Sequence, residues 1–442
     1  MTDRWIDKIK ESGIVGAGGA GFPTHIKLSA TAEYIIVNAA ECEPLIKVDQ
    51  QLLEHYTEEI AEALNIVLQK TEAKKAFIAI KRKHMEVIKK INQVLSKYDK
   101  IEVFELDDIY PAGDEQVTVY EVLKKVVPQG GIPFNVGCIV CNVETVLNVF
   151  HAMKGYPVIY KYVTVTGEVP NPFTYKLPIG ISYREVLKIC GVENLEGKVA
   201  IDGGPMMGNI VADFDKPITK TTKAIILLDK DHTLIKKKSM TIKQTVKQSK
   251  IACIQCTRCT ALCPRSLLGH DVKPHIIMRT INYGLSNMEG FKTAVGCSEC
   301  GACELYACPN GLSPRKVNGM IKQEFMKAGI KVDHKGKIYE ASPYREYRSI
   351  PVKRLVQRLG IKQYDLASPL IENQYAPKKV VLPLKQHVGA PATAIVEEGS
   401  SVKAGDLIAK IAEDKLGANI HASISGIITQ VASDAITIEV EE

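Results

Sequence analysis

Eight of the twelve cysteines stand in two runs, Cys253-Ile-Gln-Cys256-Thr-Arg-Cys259-Thr-Ala-Leu-Cys263-Pro264 and Cys297-Ser-Glu-Cys300-Gly-Ala-Cys303-Glu-Leu-Tyr-Ala-Cys308-Pro309. Three thiols at i, i+3 and i+6 with a remote fourth before proline is the spacing of paired 4Fe-4S ligand runs, in which the fourth cysteine of each run serves the other cluster. The expected pairing is therefore crossed. Cys253, Cys256, Cys259 and Cys308 belong to one tetrad, and Cys297, Cys300, Cys303 and Cys263 to the other. Zinc and disulfides are the competing uses of such residues. Structural zinc sites pair two-cysteine knuckles rather than a triplet with a Cys-Pro, and nothing at the N-terminus reads as a secretory leader that would favour disulfides. The second run has four residues, not three, before its last cysteine, which implies a longer loop leading to Cys308.

A second stretch with chemical potential is Gly16-Ala-Gly18-Gly19-Ala-Gly21-Phe22-Pro-Thr-His-Ile-Lys27. Backbone free of side chains can approach a phosphate or a flat ring, and its N–H groups can form an anion nest. It contains GxGxxG, yet a polar helix rather than a buried strand precedes it, so a dinucleotide fold of the usual kind is disfavoured. Just beyond lies a buried strand, Tyr34 to Val37, ending in Asn38-Ala-Ala-Glu41-Cys-Glu43-Pro44. Paired carboxylates at a strand end face a cleft more readily than a core, because an unpaired ion is costly to bury; a helix N-terminal cluster is the competing account.

The elements that must position these residues alternate. A short helix covers Trp5 to Ser12, and an amphipathic helix is expected over Asp49 to Gln69. Strand Ala76 to Ile80, helix Met85 to Leu95, strand Ile101 to Leu106, helix Val117 to Val126 and helix Val146 to Met153 then follow, the pattern of a parallel α/β sheet. Cys138 and Cys141 are read as buried strand thiols rather than a redox pair. Strand alternation from Tyr162, helix Tyr183 to Cys190 and Gly203-Gly-Pro-Met-Met-Gly208 suggest a small α+β module. The lysine-rich run Ile235 to Lys250 reads as a solvated linker. The spacer between the cysteine runs reads mostly as helix, with His270 and His275 as surface or cap residues, and helix Val317 to Met326 follows the second run. Short strands and Gly turns fill the tail from Val380.

With 442 residues the chain needs several domains, and 45% hydrophobic with 24% charged residues is a globular balance. No apolar run is long enough to span a bilayer. A net charge of +7 over this length, with no basic stripe interleaved with aromatics, gives nucleic-acid binding no support.

The glycine loop, the Asn38 to Pro44 segment, Gly113-Asp114-Glu115 and Asn142-Val-Glu-Thr145 stand in the order found in the flavin-binding 51-kDa subunit of respiratory complex I. Along nearly its whole length the chain resembles the RnfC-like and PduS-type cobalamin reductase family. The resemblance implies a multidomain α/β and α+β fold: an FMN/NADH-binding domain over 1–155, an SLBB β-grasp domain over 156–232, a dicluster ferredoxin-like helical domain over 245–330, a linker over 331–378 and a C-terminal barrel-sandwich domain over 379–442. It further implies FMN in the loop of Gly16, Gly18, Gly19 and Gly21 with Lys27 near its phosphate, and Asn38, Glu41, Asp114 and Asn142 around the flavin and its ribityl chain. NADH is then expected to stack near Phe22, with Glu43 and Glu115 at its ribose. Ala30 and Ala40 depart from the complex I pattern, which has an aromatic and an acid there. The SLBB module binds cobalamin in some relatives, but packing between domains is the preferred role, and a structural barrel is preferred to a lipoylated Lys415.

The function expected is that of an NADH-oxidising reductase containing FMN and two 4Fe-4S clusters, with cob(II)alamin or a partner enzyme as acceptor. NADH yields an electron pair whereas a cluster takes one electron, and a flavin converts between them. No side chain need act as acid, base or nucleophile. The alternatives are an NADH-input subunit of a larger complex (methylenetetrahydrofolate reductase, proline reductase or Rnf) and a non-catalytic relay or corrinoid-binding module. The expected partners are NADH and a redox subunit or corrinoid enzyme, in a complex or homo-oligomer. The expected location is the cytoplasm, with a bacterial microcompartment or partner-mediated membrane association as variants.

Overall fold

The computed structural model describes residues 5–332, 337–372 and 375–441; the start of the first expected domain, parts of the expected linker and the last residue of the barrel lie outside them. In the first domain, alternating strands and helices close a four-stranded parallel sheet in the order Ile101–Leu106, Lys75–Lys81, Tyr34–Ala39, Cys138–Asn142. The two inner strands are apolar along their middles, Ile35 to Val37 and Ala76 to Ile80, as burial on both faces demands, with polar residues only toward their ends. The register sets Asn38 beside Asn142 at the C-terminal ends of neighbouring strands, the edge at which open α/β sheets bind ligands.

The helix expected over Asp49 to Gln69 is two, Val48–His55 and Thr57–Lys70. Tyr56 leaves helical geometry at φ −123° and ψ 34°, while the Thr57 hydroxyl donates back to the Leu53 carbonyl, a local bond that competes with the helical ladder. The helix expected from Val117 starts earlier. It spans Glu115–Leu123 because Asp114 caps it, accepting from the Gln116 and Val117 N–H groups, and it ends at Lys124 in the left-handed region.

The second domain is a six-stranded mixed sheet around the antiparallel pair Tyr160–Gly167 and Phe173–Pro178, with helix Tyr183–Ile189 packed on it. Its edge strand, Leu370–Ile371, comes from the stretch expected to be a linker. That stretch also supplies Ile350–Pro351, paired with Ile109–Tyr110, and helix Val352–Arg358, whose Leu355 and Val356 share a core with Leu45, Tyr110, Met206, Cys300 and Leu305. Residues 350–371 therefore strap three domains together.

The lysine-rich run is not a linker but two helices, Thr233–Ser239 and Ile242–Ala252. The second opens on a Thr241–Gln244 capping box and ends at Cys253. The tail forms two small antiparallel sheets whose Val380, Leu382, Ile436 and Ile438 join the same apolar core as Trp5, Ile9 and Ile35 of the first domain. The barrel and the first domain are thus one packing unit. Among the described residues no helix is long and apolar enough to cross a membrane.

Candidate functional site

The glycine loop is pinned at its neck. Val15 and Pro23 form an antiparallel bridge, the Gly16 N–H donates to the Phe22 carbonyl at 2.9 Å, and the Ala17 N–H donates to Thr145 Oγ1 at 2.9 Å. From there the loop passes over Asn142, whose amide nitrogen lies 3.5 Å from where a Gly18 Cβ would stand. Gly21, at φ +72°, is wedged between domains: a Cβ there would meet Thr221 at 2.8 Å and His387 of the barrel at 3.0 Å. The barrel holds the loop from outside as well, through the Val388 N–H to the Ala20 carbonyl at 3.0 Å. Nothing lies within 4 Å of an added Cβ at Gly19, and the N–H groups of Gly18, Gly19, Ala20 and Gly21 have no hydrogen-bond acceptor among the described residues. Unspent donors on a rigid loop at a sheet's C-terminal edge suit an anionic group such as a flavin phosphate.

Beneath the loop lies a charged network that sequence reasoning missed. Asp49 accepts from Asn142 Nδ2 at 3.0 Å and pairs with Lys223 at 2.6 Å, and its own N–H donates to Glu41 Oε1 at 2.8 Å. Burial, reinforced by the Asp49 carboxylate, pushes the Glu41 carboxyl up to about 7. Glu144 and Lys161 form a fully buried ion pair, and Lys161 also donates to the Ala17 carbonyl of the glycine loop at 3.3 Å. Burial pushes the Glu144 carboxyl up and the Lys161 ammonium down, and each holds the other against that drift.

The expected site residues do not all converge on the loop. Gly16 to Gly21, Asn142 and Glu41 are joined through Asp49, and Asn38 sits one strand over, its amide donating to the Gly113 carbonyl at 2.9 Å. Phe22 is 39% exposed beside the loop. Lys27 donates to the Val140 carbonyl at 2.8 Å and pairs with Glu115 at 3.2 Å. Glu43 turns elsewhere: both its oxygens accept from the Met206 and Met207 N–H groups at 2.8 Å, which fixes the second domain's Gly-rich turn. Asp114 likewise faces the cysteine-bearing domain, pairing with Arg265 at 2.9 Å.

The cysteines ring two voids. One is lined by Cys253, Cys256, Cys259 and Cys308, the other by Cys263, Cys297, Cys300 and Cys303. The two runs share a backbone trick. Gln255 and Thr257 flank Cys256 in the left-handed region, and Glu299 and Gly301 flank Cys300 in the same way. Three of these four are not glycine, and such strain persists only where surrounding structure over-determines it. The wrap turns N–H groups inward: Glu299 N–H approaches Cys297 Sγ at 3.4 Å, and Leu312 N–H approaches Cys308 Sγ at 3.3 Å.

Four sulfurs lining each void suit the four-cysteine ligand set of an iron–sulfur cluster. Burial pushes the Cys259 thiol up to about 12, and Cys308, Cys256 and Cys253 add to the push; Cys303 is raised by burial and then by Cys297, Cys300 and Cys263. Four thiolates crowded in this way need a cationic core to become stable together. Of the two histidines in the spacer, His270 is buried with its ring against the Val127 carbonyl at 2.9 Å, and His275 bonds Thr260 Oγ1 at 2.7 Å.

The two tetrads differ in setting. The Cys263 tetrad abuts the first domain: the Tyr110 hydroxyl donates to the Cys300 carbonyl, and Arg265, two residues past Cys263, carries the Asp114 pair. The Cys253 tetrad lies outward, with Cys256 exposed.

Known proteins match this architecture throughout. Residues 9–151 match the Nuo51 FMN-binding domain, 162–209 the SLBB domain, 252–313 the 4Fe-4S dicluster domain and 360–441 the RnfC barrel sandwich hybrid domain. The chain is 39% identical to the cobalamin reductase PduS of Citrobacter freundii over 98% of its own length and 95% of that protein's. It belongs to the PduS cobalamin reductase family. The Salmonella typhimurium PduS is also 39% identical, over 99% of this chain and 96% of the relative. A more distant similarity, 31% identity over 60% of this chain and 59% of the relative, is to a component of the Na(+)-translocating ferredoxin:NAD(+) oxidoreductase complex of Acetobacterium woodii. As a member of the PduS family the chain is an electron-transfer oxidoreductase built from a flavin domain and an iron–sulfur domain. The barrel match begins before residue 379 and takes in part of the strap.

Proposed function

We propose that the protein oxidises NADH at an FMN held in the glycine loop and passes single electrons through two 4Fe-4S clusters to cob(II)alamin or a protein that carries a corrinoid. The observation that supports this best is the pair of cysteine-lined voids, one against the flavin-type domain and one facing outward. A bound flavin takes an electron pair as hydride and releases it one electron at a time, and clusters relay single electrons. In this reading the free N–H groups of the loop bind the flavin phosphate, Lys27 stays on Glu115 and the Val140 carbonyl unless the phosphate draws it away, Asn38 and Asn142 orient the polyol, and exposed Phe22 offers a face to the nicotinamide. Glu43 and Asp114 position the domains, which keeps the distance between centres fixed. The names of the relatives supply the donor and acceptor classes, NAD(+) in one and cobalamin in the other.

The test is anaerobic purification with cofactor analysis. The expected protein contains one FMN and about eight iron atoms, and NADH bleaches both the flavin and the cluster absorbance. A flavin that bleaches without any cluster change, or a protein that binds no flavin, overturns the reading. Cob(II)alamin supplied under the same conditions is expected to turn over in the presence of NADH.

A further inference from the structure

We infer that the rim of the Cys253 tetrad is a docking surface for an acidic protein that carries the one-electron acceptor. The inference rests on the electron-relay reading above and deepens it by naming where the acceptor binds and what charge it bears.

The helix Ile242–Ala252 delivers Cys253 at its C-cap. It buries Thr245 and Ser249 against its neighbours, and so turns the opposite side to solvent. On that side stand Lys243, Lys247 and Lys250, at spacings of four and three, which place them in one stripe running toward the tetrad. The stripe ends at two bare apolar residues on either side of Cys253: Ile251 is 79% exposed and Ile254 65%. Arg258, on the far side of Cys256, is also exposed. None of these four cations takes part in an ion pair among the described residues, whereas the lysines near the other tetrad are engaged: Lys238 with the Gly208 carbonyl at 2.6 Å and Lys322 with Glu299 at 2.8 Å.

A solvated helix face explains lysines, but it does not explain two large aliphatic side chains held in water beside a cysteine-lined void. An apolar contact ringed by unpaired charge of one sign is the build of a transient electron-transfer interface: the charges steer and orient the encounter, and the apolar centre excludes water where the redox groups meet. The complementary partner is a protein whose own redox group opens on a surface rimmed with Asp and Glu. A free corrinoid carries no such ring of carboxylates and gains nothing from the stripe. One electron crosses to the partner, whose metal or flavin is reduced by one; no proton or group is transferred.

The experiment compares the full-length holoprotein with its K243E/K247E/K250E variant, using cytochrome b5 as an acidic probe and cytochrome c as a basic one. Electrons are loaded photochemically, so the result does not depend on NADH oxidation. Binding of oxidised cytochrome b5 is measured by calorimetry at low salt. The wild-type protein is expected to bind cytochrome b5 and reduce it at a rate that falls with ionic strength, and to reduce cytochrome c at a rate that rises with it. The variant is expected to lose at least tenfold in both affinity and rate for cytochrome b5 and to reverse both salt trends, with its cluster absorbance and its reduction of free cob(II)alamin unchanged. The milder K243Q/K247Q/K250Q variant is expected to fall between. Equal cytochrome b5 rates and affinities in wild type and variants, or a wild-type preference for cytochrome c, overturn the inference even if NADH bleaches the protein as proposed above. Failure of NADH to bleach it overturns the parent reading and leaves the photochemical comparison intact.

Discussion

The Glu144–Lys161 pair offers the sharpest test of how the glycine loop is held. Both side chains are 1% exposed, and besides each other they bond only backbone: Lys161 the Ala17 carbonyl, Glu144 Oε1 the Tyr162 N–H at 3.3 Å. Glu144→Gln removes one charge and almost no volume, leaving a buried ammonium without its counter-ion. A broken buried pair costs about 3–5 kcal/mol, whereas replacing both partners with apolar residues of like size is close to neutral. The single variants Glu144→Gln and Lys161→Met are therefore expected to lose about 3 kcal/mol or more in urea unfolding, and the Glu144→Leu/Lys161→Met double variant to lose far less than the two combined. The pH dependence has a definite sign. Burial lowers the Lys161 pKa in the folded protein, and removing Glu144 takes away the group that raises it. Between that lowered value and the unfolded value of about 10.4, the unfolded chain holds the extra proton, so stability of Glu144→Gln rises with pH. The deficit measured at about pH 7 is expected to shrink by about pH 9.5. A loss below about 1 kcal/mol, or one that is the same at both pH values, refutes the claim that the loop rests on a buried ion pair.

Three further outcomes follow from the same geometry. Gly204→Ala drives a methyl into the Glu43 side chain and so evicts the carboxylate from the Met206 and Met207 N–H groups; a loss of about 2 kcal/mol is expected, with faster proteolysis in the 203–208 turn. Glu41, with its carboxyl raised to about 7, binds a proton in the folded state that the unfolded chain releases near pH 4.3, so stability falls as pH rises between these values, by at most about 1.4 kcal/mol per unit; Glu41→Gln is expected to flatten that slope in urea titrations. Cys256→Ala and Cys300→Ala are each expected to remove about half the iron, but only Cys300→Ala, in the tetrad next to Tyr110, is expected to cut electron flow from the flavin to the remaining cluster, read as slowed bleaching of that cluster by NADH.

What could be read from the sequence divides by the range of the contact. The cysteine runs were legible because a ligand triplet is encoded within seven residues, and the left-handed turns at Gln255, Thr257 and Glu299 are local consequences of wrapping that triplet around a void. Strand and helix periods gave the parallel sheet and placed Asn38 at a strand end, the family resemblance added Asn142, and the register sets the two side by side; the Tyr56 break, beside which the Thr57 hydroxyl bonds back, left no periodic trace. The lysine-rich run misled because its charges are plain while its partners are remote: Leu234 and Ile235 find their core among Leu355, Val356 and Ile361 of the strap, more than a hundred residues on. Lys161 was invisible for a different reason. It sits in a strand buried on both faces from residue 161 onward, and the Glu144 carboxylate and the Ala17 carbonyl, both delivered by other elements, make a lysine tolerable there.

Glu43 and Asp114 show how far a family pattern reaches. Their carboxylates are spent on the second domain and on Arg265, contacts that exist only once several domains are stacked. An acidic residue near a cofactor loop can bind the cofactor or lock the scaffold around it, and sequence spacing is the same for both. The difference lies in what meets the carboxylate. Two N–H groups at 2.8 Å use both oxygens of Glu43, and a Cβ on Gly204 would collide with them, so this acid and that glycine are halves of one joint. The Tyr110 hydroxyl on the Cys300 carbonyl and the Asp114–Arg265 pair are the neighbouring joints, and these two tie the glycine-loop domain to the inner tetrad while the Glu43 joint ties it to the second domain. Electron transfer between fixed centres requires a fixed separation rather than a reactive side chain, so the polar residues of this interface are where the fold meets the chemistry.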